Sequence, residues 1–310
     1  MRLILTLLLA AALASPQEGT VFRADVILVH VDAEVVSADG RILTGFTKDD
    51  FRVLDERKEQ PIVQFSSDEQ PLDLILLFDV SGSMQRTVAE VSAAAHQGLH
   101  ELRAGDRVAV WTFNTNSRQV AGFTENLDEV ERTIQDDVLN MQFGGGTYIQ
   151  QAVSDAAMRF RSEPKNQRRR AVLIITDNMG QRTRREESVV EEFWESDAIL
   201  SGLIIENGAF QARRAAGVVL NPLSLAMQAG MKGIAEKTGG DSITANEPGS
   251  AFQEAMHRIR SRYSLYYAQP AGKPGVMRSI QVELTPAASK RYPKARVRAR
   301  TGYVSQAVGK

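Results

Sequence analysis

"LILLFDVSGSMQRT", Leu74 to Thr87, is the stretch on which the fold turns. Five apolar residues, Leu74 to Phe78, run unbroken into Asp79, and Ser81 and Ser83 follow at alternate positions. An uninterrupted apolar run fits a strand buried on both faces, as in a parallel sheet. Small oxygen-bearing side chains at the end of such a strand do not extend a core. Their clustering asks for a chemical reason.

Downstream, apolar strands alternate with helical segments. "VAEVSAAAHQGLHELR" has helical spacing and ends at Ala104-Gly105. "DRVAVWTFN" reads as a second strand, and "RQVAGFT" as a short companion, antiparallel at the sheet edge. "NLDEVERTIQDDVLNM" is helical, with Asn126 as its N-cap. "TYIQQAVSDAAMRFR" is a helix ended by Pro164, and "RAVLIITD" is a third buried strand. "REESVVEEFWESDA" reads as a helix, "ILSGLIIE" as a fourth strand and "LSLAMQAGMKGIAEKTGG" as a helix closed by Gly239-Gly240. "DSITA" is a short strand, "SAFQEAMHRIRSR" the last helix and "YSLYYAQ" the last strand of this region. The alternation predicts an α/β, doubly wound, mostly parallel sheet over residues 72–268. Ligands of such sheets bind beyond the carboxyl ends of the strands. Asp79 and Asp177 both stand on that rim.

The flanks have β character. Over residues 21–70, "VILVHVDAEVV" is rich in β-branched residues and Asp39-Gly40 is a turn signal. A second hairpin turns around Glu56 to Glu59, and Pro61 points to an edge strand. A unit of about 50 residues is too small to stand comfortably alone. Residues 276–303 return to strands, "RSIQVELTP" and "ARVRARTGYV", read as a hairpin that completes the N-terminal β unit. Arg296, Arg298 and Arg300 alternate with Val297 and Ala299. The preferred reading is a half-exposed strand with an arginine face, not a nucleic-acid patch.

The chain has 310 residues, 43% hydrophobic and 24% charged, which is ordinary for a globular protein. A net charge of −1 points to neither nucleic acid nor membrane as partner. The absence of cysteine excludes disulfides, thiolate metal sites and cysteine nucleophiles. "MRLILTLLLAAALAS" has Arg2, an apolar run to Ala14 and a small-x-small Ala12-Leu13-Ala14. It reads as a signal peptide over residues 1–14, because the run is shorter than the ~20 residues of a membrane span. No later run is long and apolar enough to span. The expectation is export, to the periplasm or beyond.

On the rim, Asp79, Ser81 and Ser83 come from the first strand's loop. "GGGT" sets Thr147 after three glycines, and Asp177 follows "VLIIT". Three hydroxyls and two carboxylates, with no histidine, form a hard oxygen set suited to Mg²⁺, Mn²⁺ or Ca²⁺.

"DVSGSM", "GGGT" and "ITD" resemble, in the same order, the three elements of the metal-ion-dependent adhesion site of von Willebrand factor A domains. The resemblance covers about residues 72–268. The flanks "GRILTGFTKDDFRVLDERKEQPIVQF" and "RYSLYYAQ…RSIQVEL…ARVRARTGYV" resemble the bacterial VWFA-related family first described from Acidobacteria. The resemblance implies a Rossmann-like fold. It implies that Ser81 and Ser83 bind a divalent cation directly, most often Mg²⁺, and Thr147 directly or through water. Asp79 and Asp177 would act through water or through hydrogen bonds to the other ligands. One coordination position would remain for a partner's Asp or Glu carboxylate. Asn178 departs from the pattern, which has glycine after the second aspartate, although Asn tolerates positive φ.

Other candidates have plainer readings. His96 and His100 sit four apart on one helix face and read as ordinary helix residues, because no third ligand is close in sequence. Arg168 to Arg170 should lie at the sheet end opposite the rim. Arg182, Arg184 and Arg185 follow Asp177 and are candidates to attract an acidic partner, against the plainer reading of a solvated loop. The 207–222 loop, "NGAFQARRAAGVVLNP", is long for a strand-to-helix connection and falls on the rim side, where it could gate the site. Ser81 has no G-x-S-x-G elbow and no histidine base, and the 144–146 glycines lack a following Gly-Lys-Ser/Thr. The expected function is a metal-dependent, non-enzymatic protein-binding module. A metal-assisted hydrolase or phosphatase, and an envelope component with a vestigial metal site, are the alternatives.

Overall fold

The computed structural model describes residues 26–67, 70–164, 168–206 and 230–307. The signal-peptide segment and the 207–222 loop lie outside the described residues. No described helix is long and apolar enough to cross a membrane.

The central strand is β5, Leu72–Asp79, in which all eight residues are buried. It pairs in parallel with β6 (Arg107–Phe113) on one side and β8 (Arg169–Thr176) on the other. β9 (Ile199–Ile205) and β10 (Ser242–Ala245) extend the parallel run, and β7 (Ser117–Thr124) closes the other edge antiparallel to β6. The order β10-β9-β8-β5-β6-β7 is doubly wound. Leu74, Leu76 and Phe78 pack on one face, while Ile75 and Leu77 pack on the other. This two-sided burial is why the strand shows no polar alternation.

Helices α1 (Gln85–Ala93), α2 (Ala95–Leu99), α3 (Leu127–Arg132) and α7 (Pro248–Arg260) cover the first face. Helices α4 (Ile149–Arg159), α5 (Glu186–Glu195) and α6 (Met231–Thr238) cover the second. Asn126 caps α3 by accepting from the Glu129 N–H at 3.2 Å, and a π-helical turn, Thr133–Val138, follows. The single helix expected over Val88–Arg103 is broken at Ala94, which separates α1 from α2.

The terminal segments form two four-stranded sheets that share one core. One has the order β13-β1-β11-β4, from β1 (Leu28–Val36), β4 (Ile62–Ser67), β11 (Tyr263–Ala268) and β13 (Arg296–Ala299). The other has β14-β12-β2-β3, from β2 (Phe51–Asp55), β3 (Lys58–Gln60), β12 (Met277–Leu284) and β14 (Gly302–Val304).

Two expectations need correction. Tyr263–Ala268 does not join the parallel sheet. It runs antiparallel between β1 and β4, where Tyr263, Leu265 and Tyr267 enter the β core. The C-terminal segment makes only part of the expected hairpin. β12 pairs antiparallel with β14, but Pro286 starts a short helix, α8 (Pro286–Arg291), after β12, and β13 leaves to pair with β1 in the other sheet.

β1 explains how the two parts hold together. Val29, Val31, Ala33 and Val35 face the sandwich core, and the alternate residues His30, Asp32 and Glu34 are also buried. Their partners come largely from the α/β part. Arg169 donates to Asp32 at 2.8 Å and to the carbonyls of Ile259 and Arg260. His30 bonds Asp197 at 3.1 Å. Of the alternating arginines, Arg296 is exposed and Arg298 half-buried, as a half-exposed strand should show, while Arg300, just past β13, is buried. Arg298 donates to Glu34 and Asp241, and Arg300 is buried against Asp197. These residues sit at or before the amino ends of the parallel strands, so the sandwich docks at the end of the sheet opposite the rim.

Burial pulls the His30 pKa down, but Asp197 and Asp32 outweigh it and hold it up at about 9, against an ordinary 6.5. A raised pKa stabilises the fold fully below the ordinary value, and the contribution fades as pH rises through 9. Urea unfolding should therefore show wild type losing its advantage over His30→Gln between pH 6 and 10, by on the order of 2–3 kcal/mol. A constant gap between the two across that range would remove the charged histidine from the account.

Candidate functional site

β5 and β8 are adjacent and parallel, so their carboxyl ends lie side by side. Asp79 is fully buried at the first of them. Its Oδ1 accepts the Ser81 N–H at 2.9 Å, and its Oδ2 accepts the Thr176 hydroxyl at 2.7 Å. Burial raises its pKa to about 6 against the pull of those hydrogen bonds. Ser81 is buried and Ser83 exposed, with their hydroxyl oxygens 3.4 Å apart. Ser83 Oγ donates to Asp177 Oδ2 at 2.7 Å, and Asp177 Oδ1 accepts the Met179 N–H at 3.0 Å. Asp79, Ser81, Ser83 and Asp177 thus form one connected cluster.

Thr147 arrives by a different route. Gly144 and Gly145 adopt φ of 155° and 83°, values that few side chains tolerate. Gly144 N–H donates to the Val80 carbonyl at 3.0 Å, and Asn114 Nδ2 donates to the Gly144 carbonyl at 3.2 Å. Thr147 is buried, and its carbonyl accepts the Gln181 N–H at 3.0 Å. A Cβ on Gly180 would stand 2.6 Å from that carbonyl oxygen, so glycine is needed where the two loops touch. The backbone therefore ties the Thr147 loop to both the Asp79 and the Asp177 loops.

Among the described residues no three His, Asp or Glu side chains form a group able to hold a metal. A cation on this rim would depend on serine hydroxyls as well as carboxylates. Two oxygens bound to one Mg²⁺ at right angles stand roughly 3 Å apart, and a larger Ca²⁺ spreads them further. The separation of Ser81 and Ser83 fits that range with little adjustment.

The arginines differ among themselves. Arg184 donates to Glu192 Oε1 at 2.6 Å and also bonds Ser154, so it is occupied within the fold. Arg182 is exposed, and Arg185 is exposed with a 3.8 Å approach to Glu187. Sequence reading passed over three residues that hold the site. These are Thr176, Asn114 and Gln150, whose Oε1 accepts the N–H groups of Thr183 and Arg184. Thr176 directly precedes Asp177 and faces Asp79, a position that strand alternation could have indicated.

Residues 74–181, about a third of the chain, match the model of the von Willebrand factor type A domain. Over those residues the chain is similar to domains of that type. No curated protein matches. Among solved structures, the chain is similar to an aerotolerance-related membrane protein from Bacteroides fragilis NCTC 9343. Identity is 18%, coverage 61% of this chain and 98% of that one, and the TM-score 0.46. It is also similar to a conserved hypothetical protein BatB from Bacteroides thetaiotaomicron, at 17% identity, 61% and 97% coverage, and TM-score 0.43. Proximal thread matrix protein 1 from the mussel byssus is similar at 14% identity over 64% of this chain and 50% of that one, with TM-score 0.47.

Asn178 has φ 57°, and its side-chain oxygen is buried with no hydrogen-bond partner. Left-handed backbone costs a non-glycine residue roughly 1 kcal/mol, and an unsatisfied buried acceptor costs about 1–3 kcal/mol. Glycine gives back about 0.5–1 kcal/mol in chain entropy. Asn178→Gly should therefore stabilise by about 1 kcal/mol, a melting-temperature rise of about 2–4 °C. Asn178→Val should lower it. A fall with glycine would mean that the amide makes a bond that this account misses.

Proposed function

We propose that the chain is an exported, non-enzymatic protein-binding module that uses a divalent cation, Mg²⁺ foremost, to engage an Asp or Glu carboxylate of a partner protein. Its flanks also suggest the bacterial VWFA-related family first described from Acidobacteria. The observation that carries the reading is the hydrogen-bonded run from Asp79 through Ser81 and Ser83 to Asp177, at the carboxyl ends of adjacent strands. Bound there, the cation would supply an electrophilic position for an outside carboxylate. Ser81 and Ser83 would hold it with neutral hydroxyls, leaving most of its charge for the partner. Asp79 is held by Thr176 and the Ser81 N–H, so it would fix the loop while its own carboxylate stays back. Asp177 orients Ser83. Thr147 would contribute from the glycine loop. Arg182 and Arg185 are the exposed arginines beside the rim and would favour an acidic partner surface, while Arg184 positions the loop that carries them.

The reading ranks above a metal-assisted hydrolase because the four histidines are placed elsewhere. His30 is in the charged seam with the β sandwich, and His96, His100 and His257 lie on or next to helices α2 and α7.

Two measurements test it. Protein stripped with EDTA should melt several degrees higher once millimolar Mg²⁺ is added, since saturation at 100 Kd stabilises by about 2.7 kcal/mol. Ser83→Ala and Asp177→Ala should abolish that increment. An unchanged wild-type melt with no calorimetric heat would end the cation-dependent reading, and turnover of a generic phosphate ester would favour the hydrolase. Second, partner captured from an envelope fraction in Mg²⁺ should bind Arg182→Glu/Arg185→Glu at least several-fold more weakly, with a shallower salt dependence. Equal binding would leave the two arginines as solvated residues.

A further inference from the structure

His96 and His100 stand four positions apart at the end of α2, and the structure adds what the spacing alone lacks. The two rings meet edge to face, with centroids 4.4 Å apart, and their Nε2 atoms are 3.0 Å from each other. His96 Nδ1 lies 2.9 Å from Glu131 Oε2, on α3, which is 35 positions away in the chain. Gln135 donates to the other oxygen of Glu131 at 3.0 Å, so the carboxylate is held on both sides. His96 is 60% exposed and Glu131 only 23%.

The protonation logic follows from the carboxylate. An ionised carboxylate only accepts hydrogen bonds, so His96 must carry its proton on Nδ1. In the neutral ring, Nε2 then holds a lone pair directed at His100, and without a cation it accepts the His100 Nε2–H. His100 can turn its own lone pair to the same point by carrying its proton on Nδ1, which faces away from the pair. Imidazole nitrogens bind transition cations at about 2.0–2.1 Å. Two such nitrogens at angles of ~90–109° stand roughly 2.9–3.4 Å apart, and the observed separation falls in that window. A carboxylate that accepts from the far nitrogen of a ligating histidine is the usual outer support of such sites.

We propose that His96 and His100, oriented through Glu131, form a second cation site, for a transition-metal dication such as Cu²⁺, Ni²⁺ or Zn²⁺. Among the described residues no third His, Asp or Glu converges with them, so water or a donor from another molecule would complete the coordination. The site differs from the rim in chemistry and in place. Imidazole nitrogens favour first-row transition metals, with Cu²⁺ the tightest divalent ion, while the rim offers oxygens alone. α1 begins at the rim, whereas α2 ends as the chain returns to the start of β6, toward the opposite end of the sheet.

The test uses the intact chain without an added histidine tag, in excess Mg²⁺ so that the rim is not competing. Cu²⁺ titration followed by electron paramagnetic resonance should show one tight site with nitrogen hyperfine structure. His96→Ala and His100→Ala should each weaken it at least 10-fold, and Glu131→Gln by about 10-fold. His257→Ala and Ser83→Ala should leave it unchanged. Circular dichroism of each variant separates loss of the site from loss of the helix. The proposal falls if the double variant His96→Ala/His100→Ala binds Cu²⁺ as wild type does, or if wild type shows no nitrogen-ligated site. An unaltered affinity in Glu131→Gln would remove the orienting carboxylate and with it the case for a built site.

Discussion

A carboxylate buried at the end of a strand is the constraint on which the rim depends. Asp79 has no exposed surface, so an unpartnered charge there would cost several kcal/mol. The Ser81 N–H and the Thr176 hydroxyl meet that demand, one from its own loop and one from the neighbouring strand. Satisfying Asp79 therefore fixes the loop that presents Ser81 and Ser83 and ties it to the strand that ends in Asp177. The same side chain that is costly to bury sets the relative position of the two loops. A leucine at its place would pack with less penalty and would position nothing.

The second constraint lies at the other end of the sheet. β1 presents valines and an alanine to one core and His30, Asp32 and Glu34 to the other face, and all of them are buried. Charges so placed must find partners: Asp32 and His30 find Arg169 and Asp197 across the junction, and Glu34 pairs with Arg298 of the neighbouring strand, which itself reaches Asp241 across it. Such a seam is directional, since it tolerates only the docking that pairs every charge. The sandwich is thereby confined to the amino ends of the parallel strands. Among the described residues, the β unit therefore lies at the end of the sheet away from the serines.

The parallel sheet was legible because two-sided burial leaves an unmistakable apolar run, in Leu74–Phe78 and again in Ala171–Ile175. The antiparallel edge strand and the Asn126 cap were legible for equally local reasons. The rim residues were legible as a set because each ends a strand or begins a helix. What could not be read was pairing at long range. "YSLYYAQ" follows a helix as the strands of the parallel sheet do, yet its aromatic rings belong to the sandwich core, and nothing local distinguishes the two fates. Arg298 and Arg300 alternate with apolar residues like a solvent face, but their carboxylate partners, Glu34, Asp241 and Asp197, are far away in the chain. Arg184 shows the same limit on a smaller scale, since its pairing with Glu192 decides that it does not face a partner.

The histidine pair marks where local reading stops being informative about chemistry. Spacing alone put the two rings on one helix face, where they are unremarkable. Glu131 changes their meaning, because a carboxylate that accepts only hydrogen bonds dictates which nitrogen of His96 is bare. The same reasoning separates Arg185 from Arg184 and Ser83 from Ser81. In each case the residue type is common, and the partner supplied by the fold decides whether the side chain is held, spent or presented. On the rim that partner is Asp177, which holds the Ser83 hydroxyl at the exposed end of the cluster.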